Sequence, residues 1–504
     1  MKTIFAQGAA ALSAGDYDTA GRVFRTIVEQ DPGAHQAWLA LAVVAIRAGA
    51  PELAIEHARR ALALDRNNPD YLNQLGIAYG EHGDLRAAEQ ALRRALKANP
   101  AHAGAHHNLA KALQKQGRLD ESLKEFERAH TLAPDSTAMR LSLGGMYRLH
   151  GAPGRALALL RAAGPEPAFV PQLADCMADV EGPQAAAAWL REVLAHQPNS
   201  QATHYALAVM LLSLGEWREG WKHYLWRPRS GEIPHALPKQ GKILLRAEYG
   251  LGDVLFFLRF APLLHAPFAL KLPPELAKLA PLLAGRVELA EAGEAQAGLV
   301  DLPSLLEADS TPPAFPLRAT IDAREKLARL GPPPYLGLAW RAGTDLQRGP
   351  EFGVDQRVLL KEIAPALLGQ AVRGWPGTLV SLQRAPGEEE LRAISAAAGA
   401  EVRDLSAANE DLQEMLAILA LLDDYVTVSN TNVHLRAGLG RTARVLVPSP
   451  PEWRWMRARA GAGSPWFPGF SVYRQPPSRD WSVQLALLRR DLATAAGSAP
   501  RAPA

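Results

Sequence analysis

The sequence has one cysteine, Cys176, in 504 residues. That excludes an internal disulfide and any metal site built from cysteines, and it points to a reducing compartment, so the chain is expected to be cytoplasmic. Charge surplus is nearly absent too: 55 Lys and Arg stand against 52 Asp and Glu, a formal net of +3. Nothing in that balance asks for a nucleic-acid partner or an anionic membrane surface. No apolar run approaches the roughly 18 residues that a bilayer span needs. No Asp-x-Asp stands at a strand end, and no metal is expected. The first 14 residues faintly imitate a secretory signal with a small-residue cleavage site, but they fall in register with a repeat and are read as part of it.

What is present is the composition of a folded chain, 48% hydrophobic and 21% charged, over a length that implies two or three domains. The first half is periodic. Gly15, Gly49, Gly83, Gly117 and Gly151 lie 34 residues apart, and Ala20, Ala54, Ala88, Ser122 and Ala156 follow at the same period. Pro32, Pro100 and Pro134 hold a third register, with Arg66 where a fourth proline would fall. The period is that of the tetratricopeptide repeat, a pair of antiparallel helices. Each glycine then sits in the turn between helix A and helix B, each alanine where the two helices approach, and each proline near the end of helix B. Leu41, Leu75, Leu109 and Leu143 fill the A-helix seam. After Gly151 the register slips, and the next turns are read at Gly182 and Gly215. Six or seven units are expected over 1–226, one of them irregular, forming a superhelix whose concave surface suits a peptide or protein. His106 and His107 are read as surface histidines with no further ligand at metal spacing.

Residues 227–241 carry three prolines and break all periodicity, which marks a linker. Strand-like runs at 242–248, 268–272, 287–290 and 298–302 suggest a small lobe over 242–325, with a bridging helix over 321–330. Further strands at 335–340, 378–383, 401–405, 425–428 and 444–447 alternate with helical stretches over 326–492, as in a doubly wound parallel sheet. The expected fold is an α-helical solenoid followed by an α/β domain of two Rossmann-like lobes, the first reduced. Residues 493–504 read as a flexible tail. The tryptophans at 453, 455 and 466 either stack on a sugar or nucleoside ring or, as preferred here, pack a rigid loop on the core.

Two corners carry chemistry. In the first, the strand at 242–248 runs into Gly250-Leu251-Gly252-Asp253 and a helix; the glycines admit a close ligand, and Asp253 either caps the helix or faces the cleft. In the second, the strand at 425–428 runs into Ser429-Asn430-Thr431-Asn432 and a helix containing His434, where unpaired N–H groups suit a phosphate.

These corners, together with Asp404-Leu405 ahead of a helix at 412–422, resemble the heptosyltransferase family. Over nearly its full length the chain resembles bacterial proteins that fuse tetratricopeptide repeats to a heptosyltransferase-like domain of the GT-B fold. The resemblance implies a metal-independent glycosyltransferase whose co-substrate is a nucleotide-sugar donor, with no bound cofactor, and an acceptor that is a protein such as flagellin. A lipopolysaccharide or other glycan acceptor is one alternative, and a scaffold with a weakly active or inactive transferase domain is another. It further implies Asp253 as the base and Gly252, Ser429, Asn430, Thr431, Asn432 and His434 as donor-binding residues. Asn430 stands where the family commonly has aspartate, which implies a more anionic donor sugar or altered specificity. Arg341 and Thr344, in the loop after Trp340, can meet phosphate; Lys361 loosely matches a donor-contacting lysine of the family; Gln383 can read a base or ribose, or cap the following helix.

Overall fold

The computed structural model describes residues 2–164, 167–228, 236–238, 241–342, 361–449, 451–455 and 463–498. The chain divides into two compact units, one running through Tyr147 and the other beginning at Arg148.

The first unit is a stack of antiparallel helix pairs: α1 (Lys2–Ser13) with α2 (Tyr17–Gln30), α3 (His35–Arg47) with α4 (Pro51–Leu64), α5 (Pro69–His82) with α6 (Leu85–Ala98), α7 (Ala103–Lys115) with α8 (Leu119–Leu132), and then α9 (Thr137–Leu149). Helix starts are set by local chemistry. Asp16 and Asp84 accept hydrogen bonds from the N–H of Thr19 and Ala87, and Pro51 and Pro69 occupy first-turn positions where no N–H is needed. The turn between A and B helices requires a left-handed residue: Gly83 has φ +91, and Gly15, Gly49, Gly117 and Gly151 share that region. Ala20, Ala54, Ala88 and Ala156 are each 0% exposed, because a larger side chain at this register would hold the paired helices apart. Ser122 occupies the same buried register, and its hydroxyl donates to the Ala110 carbonyl at 2.7 Å, which satisfies a polar group among the buried alanines of that register. Pro32, Pro100 and Pro134 lie two residues past the ends of α2, α6 and α8.

The second unit opens with five further helices, α10 (Pro153–Arg161), α11 (Val170–Val180), α12 (Pro183–His196), α13 (Gln201–Leu214) and α14 (Trp217–Tyr224). The register slip has a local cause: α10 has 9 residues where the earlier B helices have 14, and a turn at Pro167–Phe169 buries Phe169 before α11 begins.

Helix α14 shares a core with the α/β region. Trp221 is 1% exposed, and its ring lies 5.6 Å from those of Phe260 and Trp466 and 6.0 Å from that of Phe257; Trp217 lies 4.6 Å from Trp466. The expected start of the linker, Arg227, is anchored instead. Its guanidinium is buried and pairs with Asp301 at 2.8 Å and Glu248 at 3.3 Å. Residues 229–235 and 239–240 of that stretch lie outside the described residues.

Two parallel sheets make up the α/β region. The first contains β1 (Ile243–Arg246), β2 (Phe268–Lys271), β3 (Glu288–Leu289) and β4 (Ala297–Gly298) in the order 3-2-1-4, with α15 (Leu251–Phe257) after β1. Short helices α16 (Ala280–Leu283), α17 (Leu302–Leu305) and α18 (Arg324–Ala328) surround it in sequence. The second sheet contains β5 (Tyr335–Ala339), β6 (Thr378–Ser381), β7 (Val402–Asp404), β8 (Asp424–Val428), β9 (Arg444–Val447) and β10 (Ser471–Arg474) in the order 10-9-8-5-6-7. Its helices are α19 (Pro365–Val372), α20 (Glu388–Ala398), α21 (Leu412–Leu421), α22 (Thr431–Gly438) and α23 (Ser482–Ser498). The strands pair in parallel, and the buried β-branched and leucine runs of β5, β6 and β8 suit strands covered on both faces.

Several local expectations change. The run at 298–302 leaves the sheet after Gly298, because the Asp301 carboxylate accepts the Gly298 N–H at 3.0 Å and turns the chain into a short helix. The helix expected over 321–330 is confined to α18, which begins after the Asp322 carboxylate takes the Arg324 N–H. Strand β10 is an addition to the expected set, and the tail expected from 493 is helical through Ser498. No helix among the described residues is long and apolar enough to cross a membrane.

Trp221→Ala is expected to lower the unfolding free energy of the full chain by about 3–5 kcal/mol, as measured by urea denaturation. A loss below about 1 kcal/mol would show that the last helix pair does not share this core.

Candidate functional site

Where the order of a parallel sheet reverses, the two adjoining loops at the strands' carboxyl ends diverge to opposite faces and leave a crevice. In the first sheet that point lies between β1 and β4; in the second it lies between β5 and β8. The chain after β1 is Gly250 to Asp253, and the chain after β8 is Ser429 to Asn432. Both expected corners therefore stand at switch points.

The two corners also meet. A Cβ on Gly252 would lie 3.1 Å from His434 Cδ2 and 3.7 Å from the Thr431 Cα, so glycine here lets the first turn of α15 reach the first turn of α22. Asp253 uses one oxygen to take the Gly250 N–H at 3.3 Å, closing the start of α15. Its other oxygen accepts from Arg454 Nη2 at 2.6 Å. Arg454 Nη1 donates onward to Glu452, whose second oxygen pairs with Lys361 Nζ at 2.6 Å and lies 3.4 Å from the Ser429 hydroxyl. The result is an alternating ladder, Asp253, Arg454, Glu452, Lys361, running from one corner to the other. Its middle is dry and its ends are wetter: the Arg454 and Glu452 side chains are each 11% exposed, Lys361 25% and Asp253 32%. Burial opposes the charge on Glu452, but the Lys361 and Arg454 cations outweigh it and hold the carboxyl far below the usual range.

A further cation backs the ladder. Arg259 is 2% exposed and, among the described residues, donates to the carbonyls of Phe256, at 3.0 Å, and Trp466, at 2.9 Å. Its guanidinium stands 4.4 Å from the Phe256 ring centre, and that of Arg454 stands 4.6 Å from the same ring. Burial and the neighbouring Arg454 bring the Arg259 pKa down to about 9. His434 lies beside them, edge-on to Phe256 and Phe467, with its Nδ1 sealed from solvent and unbonded.

The other expected donor contacts are differently placed. Arg341 forks onto Glu390 with two 3.1 Å bonds and donates to the Ala385 carbonyl at 2.6 Å, so its charge is already answered. Burial resists ionisation of Glu390, yet Arg341, the Gly387 N–H and the Trp340 indole bring its carboxyl down to about 2. Gln383 is 1% exposed; its carbonyl oxygen accepts the N–H of Trp340 and of Arg341, both at 2.9 Å, and its amide nitrogen donates to the Arg384 carbonyl at 3.2 Å, which splices the ends of β5 and β6. Asn432 is 7% exposed and turns inward to the Tyr425 hydroxyl at 3.2 Å. Asn430 caps α22 through the Asn432 N–H and donates to Thr427 Oγ1 at 2.9 Å. The Thr427 hydroxyl proton goes to the Val428 carbonyl, so an aspartate at 430 would face a lone pair; the asparagine has a local cause. Ser429, Thr431 and His434 remain at the junction, and Thr344 lies outside the described residues.

Arg454, Glu452 and Arg259 are the charged residues that reading along the chain missed. The available signal was a carboxylate and a guanidinium alternating with tryptophans at 452–455, since charges in an apolar run are retained only if they are paired. The tryptophans themselves pack inward: Trp453, Trp455 and Trp466 are 7%, 1% and 1% exposed. Among the described residues, no three His, Cys, Asp or Glu side chains gather as a metal site requires.

Comparison with known proteins gives the repeats a name. A family profile described as tetratricopeptide repeat matches residues 5–69, 73–137 and 107–168. The chain is similar to protein FlbA of Caulobacter vibrioides, at 26% identity over 489 residues, 85% of this chain and 74% of FlbA. It is also similar to anaphase-promoting complex subunit 3 of Schizosaccharomyces pombe, at 26% identity over 26% of this chain and 20% of that protein. Among solved structures, the crystal structure of MamA is 26% identical with a TM-score of 0.27, covering 31% of this chain and 91% of that one. The N-terminal region thus carries tetratricopeptide repeats, a scaffold type that presents an extended surface to protein partners.

Burial, with Arg454 and Arg259 alongside, holds the His434 pKa well below its ordinary 6.5. The folded chain then refuses a proton that the unfolded chain accepts. Stability from this group is fully present above about pH 6.5 and is lost as pH falls below it toward the folded value. His107 and His223, each brought down to about 4 chiefly by burial, add to the same slope. His434→Gln is expected to make the fall in unfolding free energy between pH 7 and pH 5 shallower in pH-dependent urea melts. An unchanged slope would remove His434 as a contributor.

Proposed function

We propose that the chain is a glycosyltransferase of GT-B type that moves a sugar from a nucleotide-activated donor to a hydroxyl group of a protein acceptor presented by the tetratricopeptide repeats. The observation that carries this reading is the meeting of two switch-point corners at Gly252, Thr431 and His434, with a carboxylate on one side and hydroxyls and cations on the other. Transfer of a glycosyl group asks for a base on the acceptor hydroxyl and for positive groups on the departing diphosphate. Asp253 is the base in this reading. Arg454, Lys361, Ser429 and Thr431 meet the phosphates. The resemblance to repeat-bearing flagellin-modifying transferases makes a flagellin-like protein the proposed acceptor, and the enzyme is read as cytoplasmic and metal-independent.

A second reading, a scaffold whose transferase domain has little activity, is favoured by two observations among the described residues. Asp253, Arg341, Lys361 and Gln383 are all engaged by protein groups, and the first sheet has only four short strands.

Thermal unfolding in the presence of ADP-, UDP-, GDP- and CMP-sugars separates the two. A true donor at about 100 times its Kd is expected to stabilise the fold by about 2.7 kcal/mol. Asp253→Asn is expected to show at least that stabilisation while lowering transfer by about 10²–10⁴-fold. Silence of every donor class would leave the scaffold reading.

A further inference from the structure

Three cations, Arg259, Arg454 and Lys361, stand against two carboxylates, Asp253 and Glu452, around the Phe256 ring and the starts of α15 and α22. His434, within the same cluster, is held neutral by burial and its cationic neighbours. Among the described residues the cluster therefore keeps one uncompensated positive charge in a largely dry place. Such a charge is expensive unless an anion completes it.

The polar atoms left over point the same way. Arg454 Nε and His434 Nδ1 are buried without a hydrogen-bond partner. Arg259 spends its bonds on two backbone carbonyls, which carry no net charge.

The two carboxylates are not equivalent. Glu452 is clamped between Arg454 and Lys361 and is nearly dry. Asp253 touches Arg454 through one oxygen, is 32% exposed, and lies at the end of the ladder nearest the glycine loop. If released, it can be rehydrated at once, whereas Glu452 cannot.

We propose that Asp253 is a placeholder for an anionic ligand on Arg454, and that a diphosphate binds by displacing it. This deepens the transferase reading and rests on it. The base is held in an ion pair while the site is empty and becomes free when phosphate oxygens take the Arg454 guanidinium. No bond is made or broken in the exchange; one carboxylate contact is replaced by charge-assisted hydrogen bonds from Arg454 to phosphate. The Asp253 oxygen that accepts from Arg454 is not open to an acceptor hydroxyl while that contact lasts, so the arrangement couples availability of the base to occupancy of the donor site.

The test is titration calorimetry of the full chain with inorganic pyrophosphate. Asp253→Asn keeps the side-chain shape and removes the competing charge, and it is expected to bind pyrophosphate about tenfold more tightly than the unaltered chain. Arg454→Gln is expected to lose that binding. If Arg454→Gln does not fold, Asp253→Asn still decides the matter. Equal or weaker binding by Asp253→Asn overturns the proposal, and so does an absence of binding by both the unaltered chain and Asp253→Asn. A purely structural ladder would lower the thermal stability of Asp253→Asn without changing pyrophosphate affinity. Tightening for pyrophosphate with no gain in affinity for UDP, ADP, GDP or CMP supports the placeholder while removing the nucleotide-sugar reading.

Discussion

A guanidinium taken out of water is the constraint around which the second unit is arranged. Arg454 is 11% exposed and lies on the Phe256 and Trp453 rings, and it is kept ionised by Asp253 on one side and Glu452 on the other. Removing one partner of such an assembly leaves a buried charge, which is a far larger penalty than the loss of a surface pair. Asp253 must therefore stay within reach of 454, which requires the start of α15 to lie against α22, which in turn requires glycine at 252. Lys361 and Ser429 are drawn into the same place through Glu452. The carboxyl ends of two separate sheets are brought together at this point by polar contacts, while the aromatic cluster beneath supplies the apolar burial.

The two halves of the chain differ in how they can be read. The repeats are legible because each unit poses the same steric problem at the same spacing: a left-handed turn, a close helix contact and a stop. Gly83, Ala88 and Pro100 each solve one of these locally, and the solution recurs every 34 residues. Even the exception at Ser122 follows the rule, since its hydroxyl finds a carbonyl within its own helix pair. The corners at Gly250 and Ser429 are legible for a similar reason, because strand, small residues and helix lie next to one another in sequence.

The site chemistry is less legible because its partners are distant along the chain. Asp253 and Arg454 are 201 residues apart, and Lys361 and Glu452 are 91 apart. Nothing in the neighbourhood of Arg341 or Gln383 announces Glu390 or the N–H groups of Trp340 and Arg341 as their partners, so both look free when read in order. Asn430 illustrates the converse. Its departure from the family pattern suggests a change of donor, whereas its two hydrogen bonds show a side chain fitted to Thr427 and to the cap of α22.

The aromatic seam at Trp221 bears on how such a chain can be recombined. Repeat arrays are exchangeable when each unit meets only its neighbours, and α1 to α8 are packed in that manner. Helix α14 and the residues just after it have given up that independence: Trp217 and Trp221 are pledged to Phe257, Phe260 and Trp466, and Arg227 to Asp301. A lineage, or a designer, that altered partner choice by trading repeats would have to splice well upstream of Trp217, leaving the last pairs with the sheets they serve. The part of the array able to diverge in specificity is thus shorter than the array itself.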